Sequence, residues 1–465
     1  MTTTLLLVDH SFIDRKARRA IRSHVLKAQN TGMMRAPRRP PHAPKDLDAH
    51  HLAASYHDAL PETFSQKSAR RVVRVGNELS GLAAPCEMTA HSRRSVHDFL
   101  CYFGDAAHSP ECKGKPDSNL SMWFQYMLID EAFFHCFIAL SETCMDFITG
   151  RELQSPEYRR HITAALRLIN DKLSSANAVA DTNLAGVMTL CLLSSVRDQP
   201  LQTKIHFDGL CRMIEVRGGV DELRSNPALI GKTHRIDIDL ALQLGCPTKL
   251  GRSAKTLEAI VPIFSNPAFQ VRSPLINAVR NADLEVFSAA KDIMKVSRLF
   301  NSGVAAKKLG ADAFQDLITT TCYRLLEIRP IDGRSGNMHP VANAAHLALL
   351  SFMTTFLSQI GRQRRQRYAL LSRKLIKALD NPKFQAAVDP ATHLWLLVMT
   401  GISVLNKEDR IWLKPRLAEA AEQFGCTDWQ FARRLLGKYP WVGELHDQPA
   451  FLLWEACFPS ATDDE

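Results

Sequence analysis

Cysteine and histidine are the residues of this chain most able to do chemistry, because they bind zinc and serve as nucleophiles or bases. The 465 residues contain 11 cysteines and 17 histidines. No two cysteines are separated by only two residues, so the Cys-x-x-Cys step that opens a binuclear zinc cluster is absent. His-Glu-x-x-His, Gly-x-Ser-x-Gly, Gly-x-Gly-x-x-Gly and phosphate-loop patterns are missing as well. The sequence therefore predicts no catalytic residue, no metal site and no cofactor.

The most informative polar positions interrupt an apolar helix predicted over residues 202–217. At 100° per residue the apolar side chains fill one broad arc, and His206 and Arg217 both point into its middle. Gly218 and Gly219 are expected to end the helix, because glycine adopts the left-handed conformation without strain. The arc is predicted to comprise Ile205, Phe207, Gly209, Leu210, Met213, Ile214 and Val216.

A buried arginine needs a carboxylate partner, and the following helix offers one. Asn226 is predicted to be the N-cap of that helix and Pro227 its first residue. Asp237 falls within the apolar stripe of the helix and Asp239 falls outside it, so we expect Arg217 and Asp237 to meet in the core. The alternative is that each side chain reaches a nearby edge of the fold, since arginine has a long apolar stem. Both interpretations give the pair an architectural role.

The order and spacing of these residues resemble the fungal-specific transcription factor domain. That domain is the all-helical middle region that usually follows a binuclear zinc cluster in fungal regulators. Further segments are similar in order, so that the resemblance spans roughly residues 10 to 440. The motif consists of His206, Gly209, Leu210, Met213, Ile214, Arg217, Gly218, Gly219, Asn226, Pro227, Leu229 and Asp237, and the other segments are Phe12, 21–25, 342–357 and 393–401.

The chain departs from that family at the DNA-reading module. A binuclear zinc cluster needs six closely spaced cysteines, whereas no cysteine precedes Cys86 here. The resemblance implies a transcriptional regulator of a fungal metabolic gene cluster. The missing cysteines imply that this regulator has no zinc cluster of its own. An upstream exon that encodes the cysteines is the alternative explanation.

Positive charge is concentrated near the start of the chain. Residues 1–45 contain ten Lys and Arg against two Asp, a net charge of +8 out of +10 for the whole chain. Such a stretch is typical of a nuclear import signal or of an arm that neutralises phosphate, and the alternative is a solvated tail. The residues predicted to act in this way are Arg15, Lys16, Arg18, Arg19, Arg22, Lys27, Arg35, Arg38 and Arg39.

Composition and periodicity predict an all-α protein, an irregular array of stacked antiparallel helices with a disordered basic N-terminal arm. Residues 1–65 are expected to form a basic, Pro-rich disordered arm and linker, and residues 66–465 an all-helical regulatory domain. The scattered cysteines indicate reduced thiols in the cytosol or nucleus. Helices are predicted over 121–149, 157–175, 182–197, 202–217, 227–244, 279–299, 311–328, 341–359, 364–379, 387–405 and 412–423.

The predicted function is that of a nuclear transcriptional regulator or co-regulator rather than an enzyme. We expect it to bind a protein partner, either a zinc-cluster regulator or a second copy of itself, to contact nucleic acid weakly and non-specifically through the arm, and not to bind membranes. The structural motif residues in this hypothesis are His206, Gly209, Arg217, Gly218, Gly219 and Asp237. The alternative is a helical enzyme of secondary metabolism that uses the same scaffold for small-molecule chemistry.

Overall fold

In a computed structural model of the chain, the described residues begin at residue 84. The predicted arm, 1–65, with its basic residues Arg15 to Arg39, lies outside them. The structure describes residues 84–106, 118–151, 155–176, 178–251, 256–267, 269–303, 309–333, 338–357, 359–360, 363–364, 368–406, 408–426 and 428–458.

The fold class is all-α, as predicted, and consists of stacked helices joined by short connections. The strands of the described residues are β1 (Gln359–Ile360) and β2 (Gln363–Arg364), which pair antiparallel. The helices are α1 Ala90–Ala106, α2 Ser118–Ile129, α3 Glu131–Thr149, α4 Pro156–Leu173, α5 Asp181–Val196, α6 Pro200–Arg217, α7 Pro227–Leu244, α8 Leu257–Ile260, α9 Pro274–Val279, α10 Leu284–Asn301, α11 Ala311–Ile328, α12 Pro340–Thr354, α13 Ala369–Leu379, α14 Pro382–Gln385, α15 Pro390–Ser403, α16 Arg410–Gln423, α17 Trp429–Leu436 and α18 Gly443–Cys457.

Capping residues explain where the observed helices differ from the predicted ones. The helix predicted over 121–149 is two helices, because Asp130 has an extended backbone and its carboxylate accepts from the backbone N–H of Phe133. In the same way Asp283 caps α10, so that this helix begins at residue 284 rather than at 279. Asn226 caps α7 as predicted, by accepting from the backbone N–H of Leu229.

The helices enclose two hydrophobic cores that share one helix. The first core runs from Met88 to Leu240 and the second from Ile238 to Trp454. Helix α7 belongs to both, because Ile236 and Leu240 lie in the first core and Ile238 in the second. The two cores therefore meet at the C-terminal half of α7, where residues 236–242 alternate between them.

Helix α3 of the first core is long and apolar enough to cross a membrane, yet most of it is buried by the rest of the protein. This burial is typical of the central helix of a helical body.

Candidate functional site

Helix α6 presents a narrower apolar face to the first core than its sequence predicts. Ile205 and Val216 are 63% and 65% exposed, and a Cβ atom added to Gly209 would meet no atom within 4 Å. The predicted arc was therefore too wide, because α6 lies at the edge of the body and only one side of it packs against α5 and α7. Its buried residues are Thr203, Phe207, Leu210, Cys211, Met213 and Ile214.

His206 lies at the margin of this buried face rather than in its middle. Its Nε2 accepts a hydrogen bond from the Nε2 of Gln202, one turn earlier, at 3.0 Å. Partial burial lowers the pKa of His206 and so favours the neutral ring that this contact requires. The prediction that His206 points into the middle of the apolar face was wrong, because the buried face of α6 is narrower than predicted and His206 lies at its edge.

The C-terminal end of α6 follows the sequence prediction. Gly218 and Gly219 have φ values of 114° and 102°, which disfavour any residue with a Cβ. The backbone N–H of Gly219 donates to the carbonyl oxygen of Ile214 at 2.9 Å, and that of Gly218 to Glu215 at 3.0 Å. These bonds satisfy carbonyls at the end of the helix and direct the chain towards α7.

Arg217 pairs with Asp181, not with Asp237. Its Nη1 donates to Oδ1 of Asp181 and, at 3.4 Å, to the carbonyl oxygen of Val179. The predicted Arg217–Asp237 contact was wrong for a geometric reason. Asp237 lies ten residues beyond the start of α7, which places it roughly 15 Å further along the helix axis.

Two further side chains complete a polar cluster around Asp181, which we call the Arg217 node: Tyr126, Asp181, Arg217 and Asn226. Nδ2 of Asn226 donates to Oδ2 of Asp181 and to the hydroxyl oxygen of Tyr126, both at 2.9 Å. The Tyr126 hydroxyl in turn donates to Oδ2 of Asp181 at 3.3 Å. The node therefore ties together α2, the start of α5, the end of α6 and the N-cap of α7.

The node stabilises the charged form of its carboxylate. Burial raises the pKa of Asp181, but the hydrogen bonds from Asn226 and Arg217 outweigh that effect and leave the pKa below its ordinary value. Burial, with the neighbouring Asp181 charge, raises the pKa of Tyr126 to about 12. A neutral phenol beside a charge-paired carboxylate is a structural arrangement, and it offers neither a nucleophile nor a free base.

Asp237 has a different set of partners and fixes the loop after α7. It is 2% exposed and accepts from the backbone N–H groups of Lys249 and Leu250, each at 2.9 Å. The hydroxyl of Tyr323 in α11 also donates to it, at 3.0 Å. Burial raises the pKa of Asp237 in spite of these bonds. Nζ of Lys249 also contacts Asp208 of α6 at 2.7 Å, so this point of the loop is bound to both α6 and α7.

Asp239 is also buried, although the sequence placed it outside the apolar stripe. It is 4% exposed, and its Oδ1 accepts from the hydroxyl of Tyr368 at 2.9 Å. Helix α7 is covered on both sides, and this explains the error, because a single-stripe pattern assumes one solvent face.

Sequence reasoning identified Asn226 and Arg217 but missed the residue that links them, Asp181. The only local signal is the position of Asp181 in the first turn of a helix, where a carboxylate is favoured by the helix dipole. Tyr126 carries no such signal, and its contact with Asn226 joins residues 100 positions apart in the chain.

Short similarities to bacterial enzymes are also present. The chain is 31% identical over 86 residues to the 4-hydroxy-3-methylbut-2-en-1-yl diphosphate synthase (flavodoxin) of Bacillus mycoides (strain KBAB4). Proteins of the same description from Bacillus cereus (strain Q1) and Bacillus anthracis match equally. The aligned segment is 18% of this chain and 20% of the Bacillus mycoides protein. The chain thus spans about a fifth of the length of these curated relatives. No solved structure matches the chain significantly.

A family model matches the region that contains the motif helix and the Arg217 node. The match covers residues 106–238 and is to the fungal specific transcription factor domain. The matched range is shorter than the range of roughly residues 10 to 440 over which the sequence resembles this domain. It ends within α7, the helix where the first core meets the second. Over residues 106–238 this chain is therefore similar to the fungal specific transcription factor domain.

Proposed function

We propose that this protein is a nuclear transcriptional regulator or co-regulator of a fungal metabolic gene cluster, and that it acts by binding rather than by catalysis. The observation that carries the proposal is the family match over residues 106–238. The Arg217 node supports a binding role, because its polar side chains hydrogen-bond to one another and so hold the helices in place. We interpret the node as a scaffold that fixes the position of α6 and its exposed side.

Helix α6 offers the surface on which we place a protein partner. Leu201, Ile205 and Val216 are 69%, 63% and 65% exposed. They lie on the same side of α6, with Leu201 and Ile205 one turn apart and Val216 about three turns further on, beyond Arg212. Exposed apolar side chains in a row are typical of a helix that packs against another protein. The partner is a zinc-cluster regulator or a second copy of this chain, and either would bring additional DNA contacts.

The substitution Ile205→Glu tests this surface. A charge in the middle of the row should abolish partner binding, and with it the transcriptional response of the target genes, while thermal melting stays unchanged because residue 205 is exposed. RNA sequencing in the source organism gives the response, and light scattering of the purified protein shows whether the partner is a second copy. The matched control is Leu284→Glu, since Leu284 is 77% exposed on a different helix. If both variants regulate like the wild type, the α6 surface is not the partner site.

The basic arm is the second element of the proposal, as a nuclear import signal and a phosphate-binding segment. Replacement of nine of its ten Lys and Arg by Gln should flatten the salt dependence of duplex binding, whose slope is roughly −0.9 per phosphate contact. Affinity should fall about equally for every sequence, because phosphate contacts do not specify bases. The nine residues are Arg15, Lys16, Arg18, Arg19, Arg22, Lys27, Arg35, Arg38 and Arg39.

A charge-conserving variant shows whether duplex binding and nuclear import depend on the positive charge of the arm or on its particular side chains. Replacement of the seven arginines of this set by lysine should keep both the salt slope and the nuclear enrichment of a fluorescently tagged protein. The Gln variant should be cytoplasmic with unchanged melting. A full-length protein that stays cytoplasmic and binds duplex no better than the Gln variant would contradict the regulator and favour the enzyme alternative.

A further inference from the structure

A cluster of cysteine, histidine and glutamate side chains lies at the edge of the first core, outside the Arg217 node. Cys86 belongs to the segment before α1, and Glu131 and His135 lie one turn apart at the start of α3. One ligand atom from each of the three, the Sγ, a carboxylate oxygen and a ring nitrogen, lies within 4.8 Å of the others. We call these three residues the α3 cluster.

We propose that the α3 cluster is a mononuclear transition-metal site, with zinc as the preferred ion, formed by Cys86, Glu131 and His135. Thiolate, imidazole and carboxylate are the donors that zinc takes in proteins, and three protein ligands leave a fourth position for water or another molecule. This inference does not depend on the proposed regulatory function. It also departs from the expectation of no metal, which rested on the spacing of cysteines alone.

The spacing of the cysteine and histidine donor atoms is close to that of a zinc site. Sγ of Cys86 and Nε2 of His135 are 3.9 Å apart, whereas two such ligands in a tetrahedral zinc complex lie about 3.6 Å apart. A small side-chain movement closes this difference. Glu131 is exposed and Cys86 half-buried, so the site has the open path that ion entry requires.

A second layer of hydrogen bonds orients the histidine ligand. Nδ1 of His135 lies 2.7 Å from Nδ1 of His161, which is 1% exposed. Nε2 of His161 lies 3.5 Å from Oε1 of Glu157 and 3.4 Å from Oγ of Ser92. All these contacts are satisfied when Nδ1 of His135 donates to His161 and Nε2 of His161 donates to Glu157.

This assignment of protons leaves the Nε2 lone pair of His135 directed at Cys86. Metal-ligating histidines commonly donate their other ring nitrogen in this way to a fixed acceptor. Glu157 is itself held by the hydroxyls of Ser92, at 2.8 Å, and Thr89, at 2.9 Å. Because Thr89 and Ser92 flank the start of α1, the second layer also fixes the segment that carries Cys86.

A nearby pair of the same residue types provides a matched control. Sγ of Cys101 and Nε2 of His97 in α1 are 3.0 Å apart. The neighbouring carboxylate, Asp98, contacts Nδ1 of His97 instead, at 3.3 Å. Among the described residues, the grouping of cysteine, histidine and carboxylate ligand atoms is found at the α3 cluster and not at this pair.

Cobalt(II) binding to the full-length protein tests the proposal. Chelator-treated protein, titrated with cobalt(II), should develop the thiolate-to-cobalt absorption band and the visible bands of four-coordinate cobalt, and zinc should abolish them. Cys86→Ser should remove the thiolate band, and Cys101→Ser should keep it. His161→Gln should weaken zinc binding about 10- to 100-fold, as loss of an orienting partner does. Circular dichroism confirms that each variant is folded.

The expected metal content of wild-type protein after dialysis against zinc and desalting is one ion per chain. A thiolate band that survives in Cys86→Ser but disappears in Cys101→Ser would assign the metal to the α1 pair and overturn the proposal. Absence of any thiolate band in the folded wild type would overturn it as well, and would leave the α3 cluster as a set of hydrogen bonds.

Discussion

Two buried histidines show how differently the two cores treat polar groups. His161 of the first core is 1% exposed, and its ring connects Glu157 to His135 and onward to Cys86. His446 of the second core is 0% exposed, and its neighbours are the hydroxyl of Thr355 and the backbone N–H of Val442, each at 3.0 Å. The first histidine thus links the interior to charged groups near the surface, whereas the second is hydrogen-bonded to neutral groups.

The features to which we assign a role by proposal lie on the side of the first core. The Arg217 node, the α3 cluster and the exposed row on α6 all lie on elements of the first core. The second core is built from large enclosed side chains such as Trp395 and Tyr439, whose rings stack at 5.6 Å with an interplanar angle of 11°. We therefore interpret the second core as the rigid support of the first, joined to it through α7.

The largest expected effect comes from removing the aromatic centre of the second core. Trp395 is 0% exposed, and its indole N–H donates to the carbonyl oxygen of Pro440 at 3.1 Å. Trp395→Ala should lower the free energy of unfolding by about 3–5 kcal/mol, measured by urea denaturation. Ile411→Ala, at a site that is 83% exposed, should change it by less than about 0.5 kcal/mol.

The same experiment tests whether the two cores unfold together. Because α7 contributes to both, fluorescence and far-UV circular dichroism should follow one transition in wild type and variant alike. Two separate transitions, of which only one shifts in Trp395→Ala, would mean that the second core does not support the first.

The next largest effect expected is the loss of stability in acid that is caused by the buried His446. Burial, with the nearby Arg433 charge, lowers the pKa of His446 to about 3, against about 6.5 in an unfolded chain. Between these pH values the unfolded chain binds a proton that the folded protein does not, so stability falls as the pH falls. The slope from this group is up to about 1.4 kcal/mol per pH unit, measured by urea denaturation from pH 7 to pH 4.

His446→Gln should make that pH dependence less steep, whatever its effect on stability at pH 7. Burial, with the neighbouring His135, lowers the pKa of His161 to about 4, so part of the slope remains in the variant. An unchanged slope in His446→Gln would show that the ring of His446 is accessible to protons in the folded protein.

A double-mutant cycle on the Arg217 node should give a smaller effect. Arg217 and Asp181 are 22% and 31% exposed, so solvent screens the pair in part and we expect a coupling of about 1 kcal/mol. Arg217 and Asp237 share no partner in the part of the chain that the structure describes, and their single-mutant effects should add within about 0.5 kcal/mol. The reverse pattern, measured by urea denaturation of alanine variants, would restore the pairing expected from the sequence.

The Arg217 node also shows how far the sequence predicts this structure. Local rules predicted the helix class, the Asn226 cap and the glycine stop after Arg217, because each depends on neighbours within a few residues. The partner of Arg217 depends on how α5, α6 and α7 pack against one another. Asp181 lies 36 residues before Arg217, and helical periodicity carries no information about contacts at that separation.

The α3 cluster was missed for a related reason. Glu131 and His135 have the one-turn spacing of two ligands on a helix, but this pattern is common in solvated helices. Cys86 completes the cluster from 45 residues upstream of Glu131. Only the packing of the segment before α1 against α3 brings the three residues together.

The smallest expected effect comes from substitutions of two glycines, one within α6 and one at its C-terminal end. They test whether this side of α6 is exposed to solvent in the free protein, unlike the buried helices of the second core. Gly209 lies inside α6 with no atom within 4 Å of an added Cβ, so Gly209→Ala should raise the free energy of unfolding by about 0.4–1 kcal/mol through the lower entropy of the unfolded chain. Gly218→Ala should have the opposite sign, since Gly218 has a φ of 114°. Urea midpoints of the two variants measure both changes. Destabilisation by Gly209→Ala would mean that this side of α6 is covered in the free protein, and the partner surface would then have to lie elsewhere.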